Sequence, residues 1–128
     1  MHALILVIDD EDLIRSVCRS ALERNGFRVL CAEDGERGVA AYRDNAAAIQ
    51  LVLCDLSMPK FGGPELVRRI WSLNPWARIV LMSGYDVEAL VPEDLRKTCI
   101  LLSKPFTSER LIQAVEKGLL RQCCSAGK

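Results

Sequence analysis

The stretch "LVLCDLSMPKFGGPEL", residues 51–66, carries the reading of the fold. Leu51, Val52, Leu53 and Cys54 form a short, continuous apolar run of the kind found in a strand buried on both faces. Asp55 then stands at the mouth of that strand, with no basic residue near it in sequence until Lys60. A carboxylate there is costly unless something elsewhere in the fold pairs with it. Gly62-Gly63-Pro64 follows, and Pro64 in a first turn marks a helix start. The segment therefore reads strand, acidic loop, helix.

The same grammar repeats outward in both directions. Strands are expected at 3–8, 27–32, 49–54, 77–82 and 99–102. Helical periodicity fills the gaps. Leu13, Ile14, Val17, Cys18, Ala21 and Leu22 fall on one face over 12–25, with Gly26 as the stop. A second helix covers 34–45, with Val39, Ala40 and Tyr42 turned inward. Leu66, Val67, Ile70 and Trp71 mark the third. A last helix starts near Thr107, with Leu111, Ile112, Val115 and Leu119 inward. Strands alternating with helices imply an α/β fold with a parallel sheet covered on both faces. Its functional site is then expected beyond the carboxyl ends of the strands.

Bulk properties narrow the function. The 128 residues fit one domain, and 121–128 reads as a frayed tail. The net charge is zero, which argues against a nucleic-acid surface. No apolar run approaches the roughly 20 residues of a membrane span, and charges interrupt "MHALILVIDD" too early for a signal peptide, so a cytoplasmic protein is expected. His2 is the only histidine, which excludes Ser-His and Cys-His nucleophile pairs and a His-rich metal site. Cys18, Cys31, Cys54 and Cys99 sit in apolar patterns as small hydrophobes, and Cys123-Cys124 lies in the polar tail.

The strand ends gather the chemistry. The first ends in Asp9-Asp10, followed by Glu11 and Asp12; the third in Asp55; the fourth in Ser83-Gly84; the fifth in Ser103-Lys104-Pro105. If the first and third strands are neighbours, three carboxylates converge, and like charges that close conflict. A hard divalent cation such as Mg²⁺ removes the conflict. Lys104 adds a point cation and Ser83 a hydroxyl. Such parts stabilise a phosphoryl group, with the carboxylate as nucleophile. Taken singly, Asp9-Asp10-Glu11 is also a plain acidic helix start, and Lys104-Pro105-Phe106 a plain turn. Gly62-Gly63 reads as loop geometry, because no Lys-Ser/Thr follows it as in a phosphate cradle.

On the motifs "VIDDE" (7–11), "LCDLSMP" (53–59), "FGG" (61–63), "LMSGY" (81–85) and "SKPF" (103–106), the chain resembles a receiver domain of the response-regulator family over residues 4–120. Each motif is weak alone; in this order, at these strand ends, they are specific. The resemblance implies a flavodoxin-like, doubly wound (βα)5 sandwich with strand order 2-1-3-4-5. It implies that Asp55 accepts a phosphoryl group from a phosphohistidine of a sensor histidine kinase or phosphotransfer protein. Asp10 and Asp55 would bind Mg²⁺ (Mn²⁺ could substitute), Asp9 largely through water, and the backbone carbonyl of Ser57 would complete the protein ligands. Ser83 and Lys104 would bond phosphoryl oxygens, a cis Lys104-Pro105 bond aiming the lysine. The side chains of Ser57 and Tyr85 would tune the phosphoryl lifetime.

The chain would thus be a switch that binds an unidentified downstream protein, catalysing only the phosphorylation and dephosphorylation of its own Asp55, as a monomer or weak dimer. "LCAEDGE", "LMSGYD" and "KPF" look more like receivers of hybrid sensor kinases than those of transcription factors, either stand-alone or part of a larger protein. Two departures from the family stand out. Leu101 occupies a switch position that is usually aromatic, and Pro92 interrupts the fourth helix, which is expected to be short or broken. The alternative reading is a pseudo-receiver that binds partners without phosphorylation. A haloacid-dehalogenase-like phosphatase wants an acid where Ser57 stands, and a flavodoxin-like electron carrier wants a Ser/Thr-rich loop where Asp9-Asp10-Glu11-Asp12 stands.

Overall fold

A computed structural model describes residues 2–58, 61–84 and 91–120. The elements alternate as β1 (Leu4–Ile8), α1 (Asp12–Arg24), β2 (Arg28–Ala32), α2 (Gly35–Asn45), β3 (Ile49–Asp55), α3 (Gly63–Leu73), β4 (Ile79–Ser83), α4 (Glu93–Thr98), β5 (Ile100–Ser103) and α5 (Ser108–Leu120). The five strands are parallel and ordered β2-β1-β3-β4-β5. That is the doubly wound, flavodoxin-like order expected from the resemblance. Tyr85 and the Cys123-Cys124 pair lie outside the described residues, as does the 121–128 tail.

Period-2 alternation divides the strands between two cores. Leu6, Ile8, Val52, Cys54, Ile79 and Leu81 face α2, α3 and α4. Ile5, Val7, Leu51, Leu53, Val80 and Met82 face α1 and α5. Both faces of the central strands are covered, which is why those strands read as unbroken apolar runs. Cys18, Cys54 and Cys99 are buried free thiols, and Cys31 is half-buried. Burial pushes the Cys18 thiol up to about 12, so it packs as a small hydrophobe. Among the described residues no helix is long and apolar enough to cross a membrane.

Three details depart from the sequence reading. β3 runs through Asp55, while β4 starts two residues later than expected and, like β5, ends one residue later. On α1, Leu13 is 72% exposed and Val17 is 42% exposed, so neither belongs to the inward face. Cys18, Ala21 and Leu22 are buried and Ile14 packs beside them. Leu13 and Val17 lie one residue, about 100° of helix, off that stripe. On α2 the buried positions are Gly35, Gly38 and Tyr42, with Val39 only partly covered. Tyr42 accepts a hydrogen bond from Asn74 Nδ2 at 2.9 Å, which satisfies its buried hydroxyl.

The six-residue α4 agrees with the short fourth helix expected from Pro92, which is its N-cap. Val91 and Leu95 anchor it in the core, and Arg68 of α3 donates to both carboxylate oxygens of Asp94 at 3.1 Å.

Gly63 packs closely on Leu56, just past the end of β3. Gly63 donates its N–H to the Leu56 carbonyl at 2.8 Å. A Cβ on Gly63 would lie 2.6 Å from Leu56 Cα, a backbone atom that cannot swing away. Gly63→Ala is therefore expected to lower stability by about 2 kcal/mol, the cost typical of overpacking. Urea denaturation measures it, and an unchanged midpoint would mean that the start of α3 shifts freely.

Candidate functional site

Strand register builds the site. Ile8 pairs with Cys54, so Asp9 and Asp55 leave neighbouring strands at the same end. Asp55 pairs with Met82, and Ser83 with Ser103, which brings Ser83 and Lys104 to that edge. Lys104 donates its backbone N–H to the Ser83 carbonyl at 2.7 Å. Its peptide bond to Pro105 is cis.

Asp9, Asp10 and Asp55 each bring a carboxylate oxygen within 4.8 Å of the others. Asp9 is fully buried and Asp55 is 4% exposed, whereas Asp10 is exposed. Lys104 bridges the buried pair. Its Nζ lies 3.0 Å from Asp9 Oδ2 and 3.4 Å from Asp55 Oδ2. Asp9 Oδ1 accepts the Glu11 N–H at 2.9 Å, and Asp55 Oδ1 accepts the Ser57 N–H at 3.2 Å. Each buried carboxylate therefore has both oxygens engaged, as buried charge requires.

Burial raises the Asp9 pKa above the ordinary carboxylate value, and the neighbouring Asp55 adds to that rise. The Glu11 N–H and Lys104 pull it back only in part. For Lys104, burial disfavours the ammonium, but Asp9 and Asp55 together outweigh it and raise the net value. The asymmetry has a physical cause: one ammonium is shared between two carboxylates, so it is over-satisfied while Asp9 is not.

The donor set fits a hard divalent cation. Asp10 is exposed at the rim, the buried Asp9 and Asp55 stand against Lys104, and no soft ligand is among the three. Ser83 is fully buried at the end of β4, and among the described residues its Oγ is the buried side-chain oxygen without a hydrogen-bond partner. An unsatisfied buried hydroxyl is costly and marks a place where a further acceptor belongs. Ser57 is exposed at the loop entrance. Leu101 is partly buried and packs on the α3–α4 side of the sheet.

Sequence reasoning assigned no role to two residues that the structure brings in. Arg15 reaches back from α1, and its Nη1 donates to the Asp9 carbonyl at 2.7 Å. It also pairs with Asp12. Glu11 Oε1 lies 3.7 Å from Lys104 Nζ. Helical spacing from Asp12 was the signal available for Arg15, but any i,i+3 pair gives the same signal.

Comparisons with known proteins agree with this geometry. A family model described as response regulator receiver domain matches residues 5–116. The response regulator receiver protein CpdR of Brucella abortus is 34% identical over 122 residues, covering 94% of this chain and 98% of that protein. A response regulator receiver domain protein from Clostridium thermocellum superposes with a TM-score of 0.85 at 29% identity, covering 91% of this chain and 94% of the other. The receiver domain of the hybrid histidine kinase CckA superposes with a TM-score of 0.77 at 31% identity, covering 91% and 99%.

Proposed function

Because this chain belongs to the response regulator receiver domain family, we propose that Asp55 accepts a phosphoryl group from a phosphohistidine on a sensor kinase or phosphotransfer protein. The modification then switches binding of a downstream protein. One observation carries the reading: Asp55, Asp9, Asp10, Lys104 and an unsatisfied Ser83 hydroxyl, drawn from four strand ends, meet at one edge.

In the transfer, a carboxylate oxygen of Asp55 forms a bond to phosphorus. The P–N bond to the histidine breaks, and the imidazole nitrogen keeps the electron pair. In a separate hydrolytic step, water bonds to phosphorus and the Asp55 carboxylate leaves, releasing inorganic phosphate. Asp9, Asp10, Asp55 and the Ser57 carbonyl would hold Mg²⁺ (or Mn²⁺), which would supply positive charge to offset that on the phosphoryl oxygens. Lys104 is already within reach of Asp55 Oδ2 and turns its ammonium to a phosphoryl oxygen. Ser83 donates its hydroxyl proton to another, which satisfies the group. Ser57, exposed beside the acceptor, tunes access of the hydrolytic water. The chain turns over only its own Asp55, in the cytoplasm, and is not an enzyme acting on a separate substrate.

The test is intact mass after incubation with acetyl phosphate, with and without Mg²⁺. One added phosphoryl group that needs Mg²⁺ supports the reading. No adduct, together with no stable beryllium fluoride complex, refutes it. That outcome favours a second reading, an interaction module independent of phosphorylation. Leu101 and the six-residue α4 are the observations on its side, because the usual aromatic reporter and a full output helix are both replaced.

Ser83→Ala separates the two states. Removing an unsatisfied buried hydroxyl should leave the unphosphorylated protein as stable or up to about 1 kcal/mol more stable. Mg²⁺ affinity is expected to stay unchanged, while phosphorylation-dependent partner binding weakens. Paired urea denaturation and binding assays measure this, and full partner binding by the variant would remove Ser83 from the switch.

A further inference from the structure

The short arch between β1 and α1 carries Asp10 and is tied down on both sides of it. The Asp9 N–H donates to the Ala32 carbonyl of β2 at 3.2 Å, and the Glu11 N–H donates to Asp9 Oδ1 at 2.9 Å. The Arg15 N–H donates to the Glu11 carbonyl at 3.1 Å. Asp10 itself is exposed, so packing against the core does not place its carboxylate. Its position within 4.8 Å of the Asp9 and Asp55 carboxylates depends on the backbone that leads into it. The atoms of a peptide unit share a plane, so holding the Asp9 carbonyl also holds the Asp10 Cα. A side chain holds that carbonyl: Arg15 Nη1 donates to it at 2.7 Å. The Arg15 side chain is only 16% exposed, and its Nη2 pairs with Asp12. The planar fork of a guanidinium serves both partners at once.

We propose that Arg15 is a positioning residue for the divalent cation: by holding the Asp9 carbonyl it sets the Asp9–Asp10 peptide and so places the Asp10 carboxylate for the ion. The proposal rests on the reading of Asp10 as a metal ligand given above. Arg15 does not touch the ion. Its two effects on the ion have opposite signs, which makes the role testable. As a positive charge behind the carboxylates, Arg15 repels a cation, and removing it would tighten binding. As a clamp on the peptide, it spares the ion the cost of ordering an exposed ligand, and removing it would weaken binding. Asp12 offsets the charge of Arg15 but not its clamp on the Asp9 carbonyl, so the second effect governs.

Calorimetric Mg²⁺ titration of the full chain tests this, with circular dichroism as the folding check. Arg15→Met keeps the apolar stem and removes the donors. It is expected to raise the Mg²⁺ Kd about tenfold, the size typical when a group that orients a metal ligand is lost. Arg15→Gln, whose amide ends short of the guanidinium, is the second variant and should show the same loss. Arg15→Lys keeps a donor for the Asp9 carbonyl and should bind within about threefold of wild type. In an Asp10→Asn background, Arg15→Met should add less than about threefold, because the carboxylate it places is gone. A general loosening of the fold would weaken binding equally in both backgrounds, so an equal loss overturns the positioning role. So does an Arg15→Met Kd within about twofold of wild type, or below it. Either result leaves the phosphoacceptor reading of Asp55 standing. A wild-type chain that binds no Mg²⁺ at millimolar concentration overturns the metal reading itself, and this role with it.

Discussion

Asp55→Asn is expected to gain no phosphoryl group where the wild-type chain gains one. The substitution is nearly isosteric, so the strand, the Ser57 N–H contact at 3.2 Å and the buried setting of the side chain persist. What goes, on the proposed reading, is the nucleophile. A neutral amide has neither the charge nor the available lone pair of a carboxylate, and a loss of 10³-fold or more in rate corresponds to about 4 kcal/mol in the barrier. Lys104 keeps Asp9 at 3.0 Å, so the variant is expected to fold, and a failure to react will not reflect unfolding. The measurement is intact mass with acetyl phosphate and Mg²⁺, with circular dichroism as the folding check. Undiminished modification of the variant would move the acceptor to Asp9 or Asp10, the other carboxylates within reach.

The second large effect is expected from Lys104→Ala without metal. This change leaves Asp9, fully buried, and Asp55, nearly so, with no cation between them. Breaking a buried ion pair on one side typically costs about 3 kcal/mol, because the surviving charge stays out of water. Mg²⁺ should recover much of that loss, since it supplies the missing positive charge at the same carboxylates. The rise in melting temperature on adding millimolar Mg²⁺ should therefore be larger for the variant than for wild type. Asp9→Ala in the Lys104→Ala background is expected to be more stable than Lys104→Ala alone, which a double-mutant cycle reads directly. A variant as stable as wild type, with no added response to Mg²⁺, would mean that water already screens the carboxylates.

The same cluster sets a pH dependence. The folded-state pKa of Lys104 is raised above 10.5 by Asp9 and Asp55 against the opposing effect of burial, so its contribution is complete below about pH 10.5 and fades as pH rises through the folded value. Asp9 runs in the opposite sense from most carboxylates. Burial raises it above 3.8, so it favours the folded state while protonated and loses that contribution as pH rises through its folded value. At neutral pH Asp9 is thus a cost that Lys104 offsets only in part. Metal-free wild type should lose stability above about pH 10.5 more steeply than Lys104→Ala does.

The sequence by itself determined the alternation of strands and helices, because a strand buried on both faces must be an unbroken apolar run and "ALILVI", "LVLC" and "IVLM" are such runs. It also singled out the acidic and basic residues that the structure brings together, since a carboxylate such as Asp55 at the end of a buried strand is costly without a partner. The short α4 was legible because Pro92 cannot sit inside a helix. Tertiary structure alone decided the rest. Periodicity placed Leu13 and Val17 on the inward face of α1, but how wide a stripe is covered depends on which elements pack there, and both residues are exposed. Nothing local in "DGERG" says that Gly35 seats Phe61 and Gly38 seats Ile8, because a glycine's close neighbour comes from another element. The Ser83 hydroxyl reads as an ordinary turn residue until the fold buries it without a partner. Local pattern fixes what each segment is, since it depends on neighbours in the chain. Which side chains meet depends on the packing of segments far apart in sequence, and that is where the carboxylate cluster around Lys104 is made.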